Sequence, residues 1–343
     1  MYPNTSQLIL TYLQAGVYPG VSYAFIKKEK TEQATFGYAQ LEPQRLLTTS
    51  TLFDMASLTK VIATNSLILQ LIESGHLKID RPLQSYLPQF RDPIVTIRHL
   101  LTHTSAINPQ IHNRNQLDQA ALTRAILSLS SDRDIGQKVA YTDTGTILLG
   151  FLLEEIYAEP LHQLFQERVL EPLQMTQSTF APTSSDVAAT EQDPIRGLIC
   201  GQVHDPKAFT LGEHCGSAGL FSTIEDCLIF AKMMLAGGQT AKGESFLQDA
   251  TVDSLFADWT PTGTLRRSLG WDLKETIDDH RPLLFHTGYT GTFMLLDRET
   301  QEAFIFLSNR VHPVDQRGDY LKKRDHILEV YLEEKAQSSS NLL

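Results

Sequence analysis

Cysteine is scarce in this chain, with only Cys200, Cys215 and Cys227 among 343 residues. The count is odd and no pair has CxxC spacing, so neither a disulfide framework nor a cysteine-ligated zinc site is expected. These read as buried or incidental thiols. Long apolar runs are also missing. No stretch approaches the roughly 20 apolar residues of a membrane-spanning helix, so no membrane span is expected. The opening residues Met1–Thr5 show no basic region, apolar core or small-residue cleavage site. That predicts a cytoplasmic protein; an extracellular one would need a removed leader. Positive charge is thin as well. The formal net charge is −11, and basic residues gather only in short patches such as Lys27-Lys28-Glu29-Lys30. Phosphate binding needs clustered positive charge, so a nucleic-acid partner is not expected. His99, His103 and His112 lie close together but without a metal-ligand pattern such as HExxH. They are expected to stabilise loops rather than hold a metal.

What is present is a clear order of elements. Leu8 to Ala15 has a helical pattern, followed by strand-like segments at Val21–Ile26 and Thr31–Tyr38. From Ser57 to Ser74 the apolar residues cover nearly the whole helix circumference, the mark of a central, buried helix. Gly75 then serves as its C-terminal stop. Helical segments joined by polar loops follow to about residue 199. Late in the chain, Leu283–Phe285, Gly291–Asp297 and Glu302–Asn309 read as successive strands, with a hairpin at Arg298-Glu299-Thr300. Tyr320 to Lys335 reads as a closing helix. The expected fold is α/β of the α+β kind: an antiparallel sheet flanked by N- and C-terminal helices, with an all-helical lobe inserted. A single catalytic domain is expected, its α/β lobe drawn from about 1–56 and 200–335, its helical lobe from about 57–199, and a polar tail at 336–343.

Three constellations carry chemistry. Ser57 and Lys60 stand three apart at the start of the buried helix, and residues at that spacing neighbour each other on one face. A serine hydroxyl needs such a base to become a nucleophile, and helix N–H groups beside it favour developing negative charge. Tyr141-Thr142-Asp143 precedes a second apolar helix, where tyrosine can serve in proton transfer. His286-Thr287-Gly288 follows a strand, and Gly288 permits close approach of a substrate to the strand backbone. An extended substrate could pair with that edge, with the Tyr289 N–H as an oxyanion donor.

In this order, Ser57-x-x-Lys60, Tyr141-x-Asp143 and His286-Thr287-Gly288 resemble the motifs of the serine β-lactamase and penicillin-binding protein superfamily. The resemblance is to its class C-like branch of esterases and D,D-peptidases and spans about residues 7 to 315. Further likenesses are His99-Leu100-Leu101-Thr102-His103-Thr104-Ser105, Gly219-Leu220-Phe221-Ser222-Thr223 and Asn309-Arg310-Val311-His312-Pro313. The resemblance implies Ser57 as nucleophile, Lys60 and Tyr141 sharing proton transfers, and an oxyanion hole from the N–H groups of Ser57 and Tyr289. Asp143, His286, Thr287 and Gly288 would contact substrate. It implies no cofactor and no metal, and a small-molecule or peptidoglycan-derived substrate; the oligomeric state is left open.

Two departures bear on substrate. Asp143 stands where Asn is usual and would favour a protonated Lys60. His286 stands where Lys is usual and would hold a substrate carboxylate less firmly. Both lean from β-lactam hydrolysis towards D,D-peptidase or esterase activity through a Ser57 acyl-enzyme. A true class C-like β-lactamase and a non-catalytic binding or scaffold protein on the same fold remain as alternatives.

Overall fold

A computed structural model describes residues 1–340. Its strands are, in chain order, β1 (Gly20–Lys27), β2 (Lys30–Gln40), β3 (Arg45–Leu46), β4 (Phe53–Asp54), β5 (Glu191–Asp193), β6 (Gly197–Ile199), β7 (Phe221–Ser222), β8 (Asp272–Glu275), β9 (Pro282–Gly288), β10 (Thr292–Asp297) and β11 (Glu302–Ser308). Seven of them form one antiparallel sheet in the order β3-β2-β1-β11-β10-β9-β8. The first and last parts of the chain meet at its centre, where Tyr23 faces Phe306 across β1 and β11.

Side chains alternate across a strand, and here both faces are covered. Val21, Tyr23, Phe25, Phe293, Leu295, Phe304 and Phe306 join a largely aromatic cluster with Tyr331 of the C-terminal helix. Ala24, Ile26, Met294, Leu296, Ile305 and Leu307 face the main aliphatic core instead. The rings of Phe293 and Phe306 stack at 5.0 Å. Strands buried on both sides explain the near-continuous apolar runs late in the sequence.

The main core continues into the inserted helices. Thr144–Tyr157 is buried from Thr144 to Leu153, and Asn65–Glu73 packs against it. The insertion also holds the hairpin of β5 with β6, and β4 pairs with β7 beside it. β8 has no clean alternation, all four residues being half-buried; β9 supplies its pairing.

Both terminal helices are longer than their local patterns. The first runs Pro3–Gln14 rather than from Leu8. Proline suits a first helical turn, and the cap comes from far away: Glu334 accepts hydrogen bonds from the Asn4 and Thr5 N–H groups at 2.9 and 2.8 Å. The last helix spans Arg317–Ser340, so residues 336–340 of the expected polar tail are helical. The rest of that tail, 341–343, lies outside the described residues. Among the described residues no helix is long and apolar enough to cross a membrane.

Candidate active site

Ser57 sits on a tight turn built by Asp54. The buried Asp54 carboxylate accepts from the Ala56 N–H at 2.8 Å and the His204 N–H at 2.7 Å. The chain reverses there, with Ala56 in the left-handed region at φ 45°, a conformation that costs a residue with a Cβ about 1 kcal/mol. Three successive bonds then follow, Leu58 N to Met55 O, Thr59 N to Ala56 O and Lys60 N to Ser57 O. They close a tight first helical turn, in which side chains three apart neighbour each other on one face. It sets Lys60 Nζ against Ser57 Oγ. Lys60–Thr64 then widens into a π turn before the α-helix Asn65–Glu73.

Lys60 is buried and fully engaged. Its Nζ donates to Ser57 Oγ at 2.7 Å and to the Ser217 carbonyl at 2.9 Å. It also pairs with Asp143 Oδ1 at 2.8 Å. Three acceptors match the three protons of an ammonium. Burial alone would weaken its hold on a proton, but the Asp143 carboxylate and the Tyr141 phenol outweigh that and hold it above the usual lysine range. Asp143 is pulled the other way. Burial opposes its charge, yet Lys60 and Lys207 together keep it well below the usual carboxylate range. Lys207 hydrogen-bonds the second oxygen, Oδ2.

Tyr141 stands at the cleft with 46% of its surface exposed. Its ring lies 5.4 Å from Lys60 Nζ and 5.6 Å from the Arg267 guanidinium carbon. His103 packs on it at 4.5 Å. His103 thus belongs to the wall of the site, while His99 bonds Thr96 as part of a helix cap. No cluster of metal-ligating side chains occurs among the described residues.

The opposite wall is β9 and the turn after it. A Cβ on Gly288 would lie 2.5 Å from the Met55 carbonyl and 2.1 Å from Thr292 Oγ1. Only glycine lets β9 pass this close to the Ser57 turn. Thr290 and Thr292 lash the two together by donating to the carbonyls of Asp54 and Met55 at 2.6 and 3.2 Å. Neither the Ser57 N–H nor the Tyr289 N–H has an acceptor among the described residues. β8 pairs with β9 only as far as Phe285, which leaves the edge beyond it open to an extended ligand.

His286 lies in the cleft wall. It is 3% exposed, and burial, Arg267 and Lys60 together hold it neutral. Nδ1 faces the Thr287 carbonyl at 3.0 Å and Nε2 has no partner. A buried neutral imidazole is no anchor for a carboxylate. Of the five arginines that line the cleft, Arg114, Arg267, Arg310, Arg317 and Arg324, Arg267 stands beside His286, and no motif singled it out. It lines the same cleft of about 570 Å³ as Ser57, Tyr141, Asp143, Thr287 and Tyr289. Its side chain is 8% exposed, its nearest carboxylate is Asp272 at 3.7 Å, and its Nε has no partner. Lys207, the Ser217 carbonyl and Arg267 join the cleft from separate parts of the chain, so no local spacing could reveal them.

The comparisons with known proteins agree with this architecture. The family model described as Beta-lactamase matches residues 5–327. A protein of Salmonella agona (strain SL483) named "Putative D-alanyl-D-alanine carboxypeptidase" is 28% identical over 356 residues, covering 89% of this chain and 81% of that protein. Among solved structures, EstCE1, a hydrolase with promiscuous acyltransferase activity, superposes with TM-score 0.75 at 20% identity, covering 94% of this chain and 97% of its own. A class C beta-lactamase superposes equally well, TM-score 0.75 at 20% identity, covering 95% and 94%. At such identities the two structures attest the fold, while the family model spans nearly the whole sequence. The chain belongs to the beta-lactamase family and is a serine hydrolase of that kind.

Proposed function

We propose that this protein is a penicillin-binding-protein-like acyl hydrolase that cleaves amides or esters bearing a carboxylate near the scissile bond, as D-Ala-terminated peptides do. The observation that carries this reading is Arg267. A guanidinium buried in a cleft wall with a single, half-exposed acid partner at 3.7 Å gains from a further counter-ion. A substrate carboxylate would supply it. The Salmonella relative's printed name points to the same substrate class.

Ser57 Oγ attacks the carbonyl carbon, and the N–H groups of Ser57 and Tyr289 receive the developing oxyanion. The Ser57 proton passes to the Lys60–Tyr141 pair and on to the departing amine or alcohol. Water then hydrolyses the ester and returns Ser57 to its resting state. The competent form of that pair is one proton short of full occupancy. Asp143 opposes that loss, because its negative charge strengthens Lys60's hold on its proton.

Asp143→Asn is therefore expected to move the ascending limb of kcat/KM to lower pH by about one to two pH units, the usual effect of removing an adjacent opposite charge. A pH–rate profile of both forms checks this, and an unmoved limb would detach Lys60 from the proton transfer.

The test of substrate class is a panel on wild type and Arg267→Leu: a D-Ala-D-Ala peptide, a chromogenic cephalosporin and an uncharged p-nitrophenyl ester. Loss of one partner of a desolvated charge pair costs about 2 kcal/mol or more. KM for the peptide should rise by about 30-fold on that scale, with the neutral ester little affected. Equal effects on both would return the assignment to a simple esterase. Rapid cephalosporin turnover by the wild type would make it a β-lactamase.

A further inference from the structure

Tyr289 is held from every side but one. Its carbonyl accepts from Arg310 Nε at 2.9 Å and also from Nη2. Its hydroxyl donates to Asp315 Oδ2 at 2.5 Å, and Arg310 Nη1 bonds the other oxygen of that carboxylate. His204 stacks on the ring at 5.5 Å and 15°, and the Arg310 guanidinium carbon stands 4.6 Å from the ring centroid. Its N–H alone has no acceptor among the described residues.

We propose that Arg310 and Asp315 form a clamp that sets the Tyr289 N–H as an oxyanion donor, which makes both of them positioning residues for acyl transfer at Ser57. The proposal rests on the acyl-hydrolase reading above. Its physical basis is the rigidity of the peptide unit. The unit before Tyr289 is set by the Gly288 carbonyl, which accepts from the Gly291 N–H at 3.1 Å. In a trans unit the Tyr289 N–H then leaves on the opposite side. The unit after Tyr289 is set by Arg310. With both planes held, the residue has no soft torsion left, although its side chain is 41% exposed at the cleft mouth. A loop residue so exposed is ordinarily mobile.

Arg310 is suited to this task and to little else. It lines the cleft, yet its side chain is only 2% exposed. Its bonds run to Tyr289 and Asp315, so a substrate anion would have to compete with both. It follows directly on β11, which ties the clamp to the sheet. A Cβ on Gly291 would lie 2.4 Å from Arg310 Cγ. The turn therefore carries glycine at φ 107° where the arginine crosses it.

The experiment uses the full chain with Arg310→Lys and Tyr289→Phe. The first keeps the charge without the fork; the second removes only the link to Asp315 and leaves the N–H. Two readouts are taken: amide exchange across Tyr289–Gly291, and kcat against KM for a p-nitrophenyl ester. In Arg310→Lys, exchange should rise and kcat should fall by about 10- to 100-fold, somewhat below the scale of a deleted oxyanion donor, with KM within about twofold. Tyr289→Phe should show the same pattern, several-fold in size. Unchanged exchange in both variants would overturn the clamp. Faster exchange with wild-type kcat, or a change in KM alone, would overturn its positioning role. Should Arg310→Lys fail to fold, Tyr289→Phe decides by the same criteria. Ser57→Ala tests the underlying chemistry separately: activity surviving in it would sink the acyl-enzyme reading while the exchange result still judged the clamp.

Discussion

Ser57→Ala is expected to abolish acyl transfer, and Lys60→Met to lower kcat/KM by about 10³-fold or more, as for other units of interdependent catalytic groups. The reason lies in how Lys60 is spent. Its ammonium bridges Ser57 Oγ, the Ser217 carbonyl and Asp143; in the proposed mechanism that one side chain orients Ser57, takes part in moving its proton and neutralises the adjacent carboxylate. Methionine fills similar volume and does none of these. Asp143 keeps Lys207 as a partner in that variant, so the fold should survive better than after removal of one partner from a solitary buried ion pair, which costs about 3–5 kcal/mol. The measurement is the labelling rate with a fluorophosphonate, followed by intact mass, on wild type and both variants. Labelling of Ser57→Ala at the wild-type rate would assign the reaction to another nucleophile, and a wild type that fails to label, like Ser57→Ala, would favour the scaffold role.

Acid should destabilise this protein well before its carboxylates titrate. His103 and His286 are both buried. Burial, with Arg267 and Lys60 nearby, places both well below their ordinary value of 6.5. Burial also lowers His162 to about 4. The sign follows from linkage. Between the folded and unfolded values the unfolded chain binds more protons, so stability falls as pH drops below 6.5. Each such histidine contributes about 1.4 kcal/mol per pH unit in that window. Asp143 acts lower down: its depressed value stabilises the fold above the ordinary 3.8, and that contribution fades only below it. Thermal unfolding between pH 8 and pH 4.5 should therefore show a flat region above 6.5 and a steep decline beneath it. His103→Gln with His286→Asn should flatten that decline. A double variant as acid-sensitive as wild type would show that these two are not the responsible groups.

Much of the fold was legible locally because it is written in periodicity. Val21–Ile26, Gly291–Asp297 and Glu302–Asn309 alternate between two buried faces and became strands, while Ser57–Ser74, apolar all round, became a buried helix that opens in a π turn before the α-helix Asn65–Glu73. Where pattern and structure part, a distant residue intervenes. Pro3–Asn4–Thr5 is helical because Glu334 caps it. Asp272–Glu275 is a strand because β9 offers an edge.

The site divides in the same way. Ser57 and Lys60 were readable together because three residues of chain bring them face to face in any tight helical turn, and their order with Tyr141, Asp143 and His286-Thr287-Gly288 made the family recognisable. The sequence alone therefore determined the family resemblance, the candidate nucleophile and its lysine. Only the tertiary structure decided the electrostatics around them. Lys207 shares Asp143, Ser217 completes the lysine's shell, Arg267 lines the cleft beside a neutral His286, and Arg310 grips Tyr289. The physical reason is range. A helical turn or a strand is specified within a few residues, whereas the charge state of a buried group depends on whatever the fold packs within a few ångströms of it, from any distance along the chain.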